Sequence, residues 1–183
     1  VTVWRDGGVF QQSFRRGVAV SEMTTSEGAD RTGTKIRFKP DAEIFESIEY
    51  NFDILSKRLR EMAFLNAGVK IILRQKAEQK CHLFEYTGGI SSFVDFLNET
   101  KNPLFKEVVA FNREKDGVVV DVAMSYNDGY AEQFYAFVNN INTIDGGTHV
   151  LGYRSALTKV FNRYLKENPD LLGKEKGKQS EIK

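Results

Sequence analysis

The chain has 183 residues, 41% of them hydrophobic, which is enough apolar material for one good core or two small ones. Its 26 basic residues are balanced by 25 acidic ones, so no overall field draws in nucleic acid and any DNA contact must come from a local patch. A single cysteine excludes an intrachain disulfide framework, no apolar run reaches transmembrane length and no secretory pattern opens the chain, so the reading is cytoplasmic.

Residues 1–4 already alternate like a strand, and Asp6-Gly7-Gly8 supplies a hairpin turn into a second strand over 9–14. An isolated hairpin is marginal, so the pair is expected to lean on something else and the chain to begin inside a domain. Residues 21–30 are polar, lack periodicity and read as a loop. Thr32-Gly33-Thr34 then introduces a strand over 35–39, with Ile36 and Phe38 on one face and basic residues on the other, either a solvated face or a phosphate track. Pro40 ends it, and residues 41–45 can form one helical turn.

Asn51 or Asp53 can cap the helix that follows, in which Phe52, Leu55, Leu59 and Met62 recur at spacings of three and four. Asn66-Ala67-Gly68 ends it, and strands over 69–74 and 80–86 flank a polar turn. Cys81 and His82 are adjacent on a strand and point to opposite faces, so they cannot act as nucleophile and base; an inert buried thiol is expected. With only His149 elsewhere, Cys and His alone cannot assemble a metal cluster. Gly88-Gly89 marks a candidate domain boundary before a helix over 91–98.

Strands are expected at 105–111, 118–126 and 132–138, forming an antiparallel sheet. A long helix from about Val150 would cover it, through a stripe of Val150, Tyr153, Leu157, Val160, Phe161, Tyr164 and Leu165. Basic residues beside that stripe serve solubility, DNA or another subunit. Between strand and helix lies a polar elbow, residues 139–149. Its Gly146-Gly147 pair permits a tight reversal, and Thr148 can accept an N–H from the first helical turn. The elbow can be turn chemistry alone, a set of N–H groups for phosphate or a moving loop, or a domain contact. The Lys-rich tail, 173–183, is expected to be disordered or incomplete.

The sequence contains no Walker loop, dinucleotide fingerprint or serine nucleophile elbow, and no carboxylate pair at a telling spacing. That favours transmission or binding over autonomous catalysis.

Four blocks in order carry a family resemblance: Thr32-Gly33-Thr34-Lys35-Ile36-Arg37-Phe38-Lys39-Pro40-Asp41; Ile54-Leu55-Ser56-Lys57-Arg58-Leu59-Arg60-Glu61-Met62-Ala63-Phe64-Leu65-Asn66-Ala67-Gly68-Val69; Tyr86-Thr87-Gly88-Gly89-Ile90; and Phe137-Val138-Asn139-Asn140-Ile141-Asn142-Thr143-Ile144-Asp145-Gly146-Gly147-Thr148-His149. They closely resemble the ATPase-bearing B subunits of bacterial type IIA DNA topoisomerases, of gyrase or topoisomerase IV. The resemblance implies an α+β chain. Residues 1–87 would close an ATPase domain of the gyrase, Hsp90, histidine kinase and MutL type, and residues 88–183 would begin a ribosomal-protein-S5-like transducer. It implies that Thr34, with Gly33 allowing close approach, lies at the adenine pocket, and that the complete subunit uses ATP and magnesium. It further implies DNA and a DNA-cleaving A-type subunit as partners, and self-association into a dimer on ATP binding. The family's water-activating glutamate, magnesium-binding asparagine, adenine-reading aspartate and phosphate lid precede the matched region. The fragment alone is therefore expected to be inactive, and Lys178 is not assigned the family's phosphate-contacting lysine role, because its surroundings lack the Gln-Thr-Lys pattern. The alternative is a noncatalytic S5-like module for RNA binding or interaction.

Overall fold

The structure, a computed structural model, describes residues 1–172, so the expected disorder of 173–183 and the position of Lys178 lie outside the described residues. Contacts divide the chain into two compact units, Val1–Leu55 and Ser56–Lys183.

In the first unit, β1 (Thr2–Arg5) and β2 (Gly8–Gln11) pair antiparallel around Asp6 and Gly7, whose φ angles of 51° and 76° give the left-handed turn that matches strand twist. A second tight turn at Arg16-Gly17 joins β3 (Phe14–Arg15) to β4 (Val18–Ala19). The expected loop over 21–30 contains a strand, β5 (Thr24–Glu27), which pairs with β2. All four of its residues are exposed, so no apolar alternation announced it, and it holds its place through backbone pairing. β6 (Gly33–Lys35) adds to the other side of β1, giving a sheet of order β5-β2-β1-β6.

The expected strand over 35–39 stops at Lys35. The ladder with β1 runs out at Thr2↔Lys35, and Ile36 and Phe38 stand exposed. Phe38 instead meets Tyr50 edge-on, 6.3 Å between ring centroids. The turn at 41–45 forms as expected: the Ile44 and Phe45 N–H groups donate to the Asp41 carbonyl.

α1 (Phe52–Leu65) begins where Asn51 Oδ1 accepts the N–H groups of Asp53, at 2.9 Å, and Ile54, at 3.0 Å, so Asn51 is the capping residue. In the second unit, β7 (Lys70–Gln75) and β8 (Lys80–Glu85) form a hairpin, followed by α2 (Gly89–Asn98). The core of this unit is aromatic. Ala63, Phe64, Phe84 and Phe93 are buried, and Phe64 stacks on Tyr86 at 3.6 Å and packs at 5.2 Å from Phe93. A Cβ at Gly88 would sit 2.1 Å from Ser92 Oγ, so a side chain there would force that hydroxyl to turn away, and Gly89 has φ 60°.

β9 (Val109–Lys115) and β10 (Val118–Met124) pair in register around Asp116-Gly117, with φ of 54° and 74°. β9 lies four residues later than expected because this Asp-Gly turn, not the apolar run from Phe105, sets the register. The expected strand over 132–138 shrinks to β11 (Phe137–Val138), which pairs with β12 (Ile141–Asn142) in a separate ribbon. α2 lies against β10. α3 (Thr148–Glu167) meets the sheet through Tyr153, whose hydroxyl reaches Met124 Sδ at 3.5 Å, while Val160, Phe161 and Tyr164 remain exposed. The expected cover by the whole α3 stripe is thus not seen. No helix among the described residues is long and apolar enough to cross a membrane.

Candidate functional site

Thr34 lies on β6, opposite Val3 of β1, and β6 is an edge of its sheet. Beside it is a cavity of about 300 Å³ lined by Trp4, Arg31, Thr32, Gly33, Thr34 and Lys35. The Arg31 guanidinium stands 4.1 Å from the centroid of the Trp4 ring, a cation–π contact that fixes both side chains on one wall. Gly33 has φ 153° and a Cβ there would meet nothing within 4 Å, so the backbone angle, not crowding, selects glycine. The lining offers two hydroxyls that each donate and accept, edge-strand peptide groups and two cations. It can hold a polar or anionic ligand, but its lining has no carboxylate to act as a base.

These residues suit hydrogen bonding to a polar group. They do not suit magnesium: the lining has no carboxylate, and among the described residues no cluster of three His, Cys, Asp or Glu side chains could hold a metal ion.

The polar elbow is built differently from its sequence reading. Asn139 and Asn140 have φ of 48° and 66° and form the turn between β11 and β12, a hairpin that asparagine tolerates at low cost. Thr148 does not cap α3. It is the first helical residue, and Gly147 stands at the cap position with no side-chain hydrogen bond. Thr143 does the fastening instead. Its hydroxyl donates to the Ala136 carbonyl at 3.1 Å and lies 2.9 Å from His149 Nε2. With its one proton committed to the carbonyl, that hydroxyl must accept, so Nε2 carries hydrogen.

A second set of bonds joins α1 to the β11–β12 turn. Asn140 Nδ2 donates to Asn66 Oδ1 at 2.9 Å, and Asn66 Nδ2 donates to the Met62 carbonyl at 2.7 Å. Arg58 donates to the Asn140 carbonyl at 3.2 Å and to Glu61 at 3.0 Å. Sequence reasoning missed this network, since partners 74 and 82 residues apart leave no periodic trace.

Cys81 is exposed, not buried as expected, because its face of β8 has no apolar layer over it. His82 Nδ1 instead meets Ser56 Oγ of α1 at 2.8 Å. Among titrating groups, burial pushes the Tyr153 phenol above its ordinary value, and Tyr126 adds to the shift.

Fold and side-chain geometry together define a mixed α+β chain with a polar-lined hollow at a sheet edge and helices fastened to hairpins. The model of the DNA gyrase B family matches residues 89–183, and the chain belongs to that family. It is 46% identical over 167 residues to the DNA gyrase B protein of Myxococcus xanthus, covering 91% of this chain and 20% of that protein. It is 47% identical over 170 residues to its Bacillus mycoides counterpart, covering 92% and 42%. The solved 43K ATPase domain of Thermus thermophilus gyrase B, in complex with an aminocoumarin, superposes with a TM-score of 0.79 at 33% identity, over 97% of this chain and 49% of that one. The fold is that of the ATPase–transducer region of this family. The chain thus spans from a fifth to about half the length of these relatives.

Proposed function

We propose that this chain is part of an ATP-dependent type II DNA topoisomerase, contributing to the adenine pocket through Thr34 and Gly33 and relaying nucleotide state. The observation that carries this reading is the setting of Thr34: an edge-strand threonine beside a polar cavity, in a chain that follows a gyrase ATPase domain over nearly all its length. Residues 1–87 close the ATPase domain and residues 88–183 begin the transducer; the family match starting at residue 89 supports that division. The protein works in the cytoplasm on DNA with a DNA-cleaving A-type subunit, and ATP binding dimerises it. Magnesium is held by parts of the protein other than these residues.

Bound ATP supplies the free energy of gate closure. To drive that gate from mostly open to mostly closed, nucleotide must bind the closed state about 10⁴-fold more tightly. Thr34 orients the base by a hydroxyl hydrogen bond, and residues after Gly89 carry the change onward. The test is Thr34→Val in the full-length subunit. Losing one such bond raises the KM for ATP about 2–10-fold with the fold intact; an unchanged KM refutes the assignment. A polypeptide of residues 1–183 alone is expected to show no ATP turnover.

A further inference from the structure

The hydrogen-bond network between α1 and the β11–β12 turn has a geometry that a generic packing contact lacks. Asn140 takes part twice, through its side-chain amide and its backbone carbonyl, and both groups are aimed by the left-handed turn in which it sits. On the α1 side, Asn66 is oriented by its own bond to the Met62 carbonyl, and Arg58 by Glu61, a residue only 7% exposed. Each partner on the α1 side, the Asn66 acceptor and the Arg58 donor, is therefore fixed before the bridge forms, and a one-residue displacement of the turn would break both bridging bonds together. Such a contact is made or unmade as a unit.

We propose that Asn140, with Asn66 and Arg58, forms a positioning latch that couples the nucleotide-binding segment to the transducer. This rests on the proposed function, under which α1 belongs to residues 1–87 and the β11–β12 turn to residues 88–183. The covalent route between the two runs through β7, β8, α2, β9 and β10, so the latch gives α1 a direct hold on the turn that leads into α3. Nucleotide-driven movement of α1 is transmitted as a pull on Asn140, and with the latch removed that pull is lost while the aromatic packing of Phe64 on Phe93 remains. None of the three residues lines the cavity beside Thr34.

The test uses the full-length subunit assembled with its DNA-cleaving partner, measuring ATP turnover with and without DNA. Asn140→Gly keeps the left-handed turn and the carbonyl that Arg58 reaches, and removes only the amide. Asn66→Ala removes the same bond from the other side. Each variant is expected to keep basal turnover within about twofold of the parent and to lose about fivefold or more of its DNA stimulation, the range of allosteric couplings. The double variant should be no worse than the worse single one. A purely structural role would lower basal and stimulated turnover together, and that result overturns the latch, as does stimulation unchanged in both variants. A parent assembly that turns over no ATP overturns the proposed function itself, and the latch with it.

Discussion

Asn51 starts α1 with a single oxygen that accepts two backbone N–H groups. Asn51→Ala should cost about 1 kcal/mol in urea denaturation; a midpoint unchanged at constant slope would mean that solvent serves those groups equally well. Gly147 carries a different constraint. A Cβ there would lie 2.9 Å from His149 Cε1, and φ is 146°, so Gly147→Ala strains the backbone and displaces the ring that Thr143 holds. A loss of more than about 1 kcal/mol is expected, because alanine at positive φ loses more than the entropy it gains. Thr143→Val should then add only the loss of the hydroxyl bond to the Ala136 carbonyl, the His149 contact having already gone. The cap at Asn51 was legible because capping is local chemistry read over three residues. Thr148 was misread for a related reason: the Gly pair before it supplies the cap position by backbone geometry, which shifts the helix start by one residue. Nothing in the sequence distinguished the exposed face of Cys81 from a buried one, since burial on a two-stranded ribbon depends on what lies above it.

At the level of elements, short hairpins organise much of both units, and their turns repeat one device: two residues at positive φ, as at Asp6-Gly7, Arg16-Gly17, Asp116-Gly117 and Asn139-Asn140. The first was read correctly because Asp-Gly lies between alternating apolar runs. Asp116-Gly117 was overlooked because β9 carries charge at Arg113, Glu114 and Lys115, which hid the strand beside it. The β3–β4 turn has a further tie. Arg16 pairs with Asp41 and Glu43, fastening the hairpin to the 41–45 turn. The Arg16 hydrogen bond holds the Asp41 carboxyl below the usual carboxylate range, and the Glu43 N–H adds to that. A carboxylate depressed by folding contributes stability above its unfolded pKa and loses it as pH falls through the folded value. The fastening should therefore persist through neutral pH and fail only in acid, below the ordinary carboxylate range. Carboxyl NMR titration should place Asp41 low in the parent and return it towards the ordinary value in Arg16→Gln. An equally low Asp41 in the variant would assign the shift to the Glu43 N–H instead.

Taken as a whole molecule, the chain buries little for its apolar content. The second unit has its buried aromatics where α1, β8 and α2 meet, yet Val118, Val119 and Val120 in β10 are 61%, 56% and 48% exposed, and Val160 and Phe161 of α3 are also exposed. Successive β10 residues point to opposite faces, so exposure of all three means that neither face of the β9–β10 ribbon is covered at that end. Isolated two-stranded ribbons are marginal in water, and contiguous apolar surface of this kind ordinarily lies against further structure. The relatives extend well beyond the region they share with this chain, so such structure is available in proteins of this family. A polypeptide of residues 1–183 should accordingly bind 1-anilinonaphthalene-8-sulfonate and lose its β9–β10 amide protection in seconds to minutes, while amides of α1 and α2 around Phe64 exchange much more slowly. In the full-length protein the dye signal per molecule should fall and the β9–β10 amides should become protected. Equal protection of β10 in both polypeptides would mean that the ribbon is stable by its own cross-strand pairs, and the apolar residues on it would then need no cover.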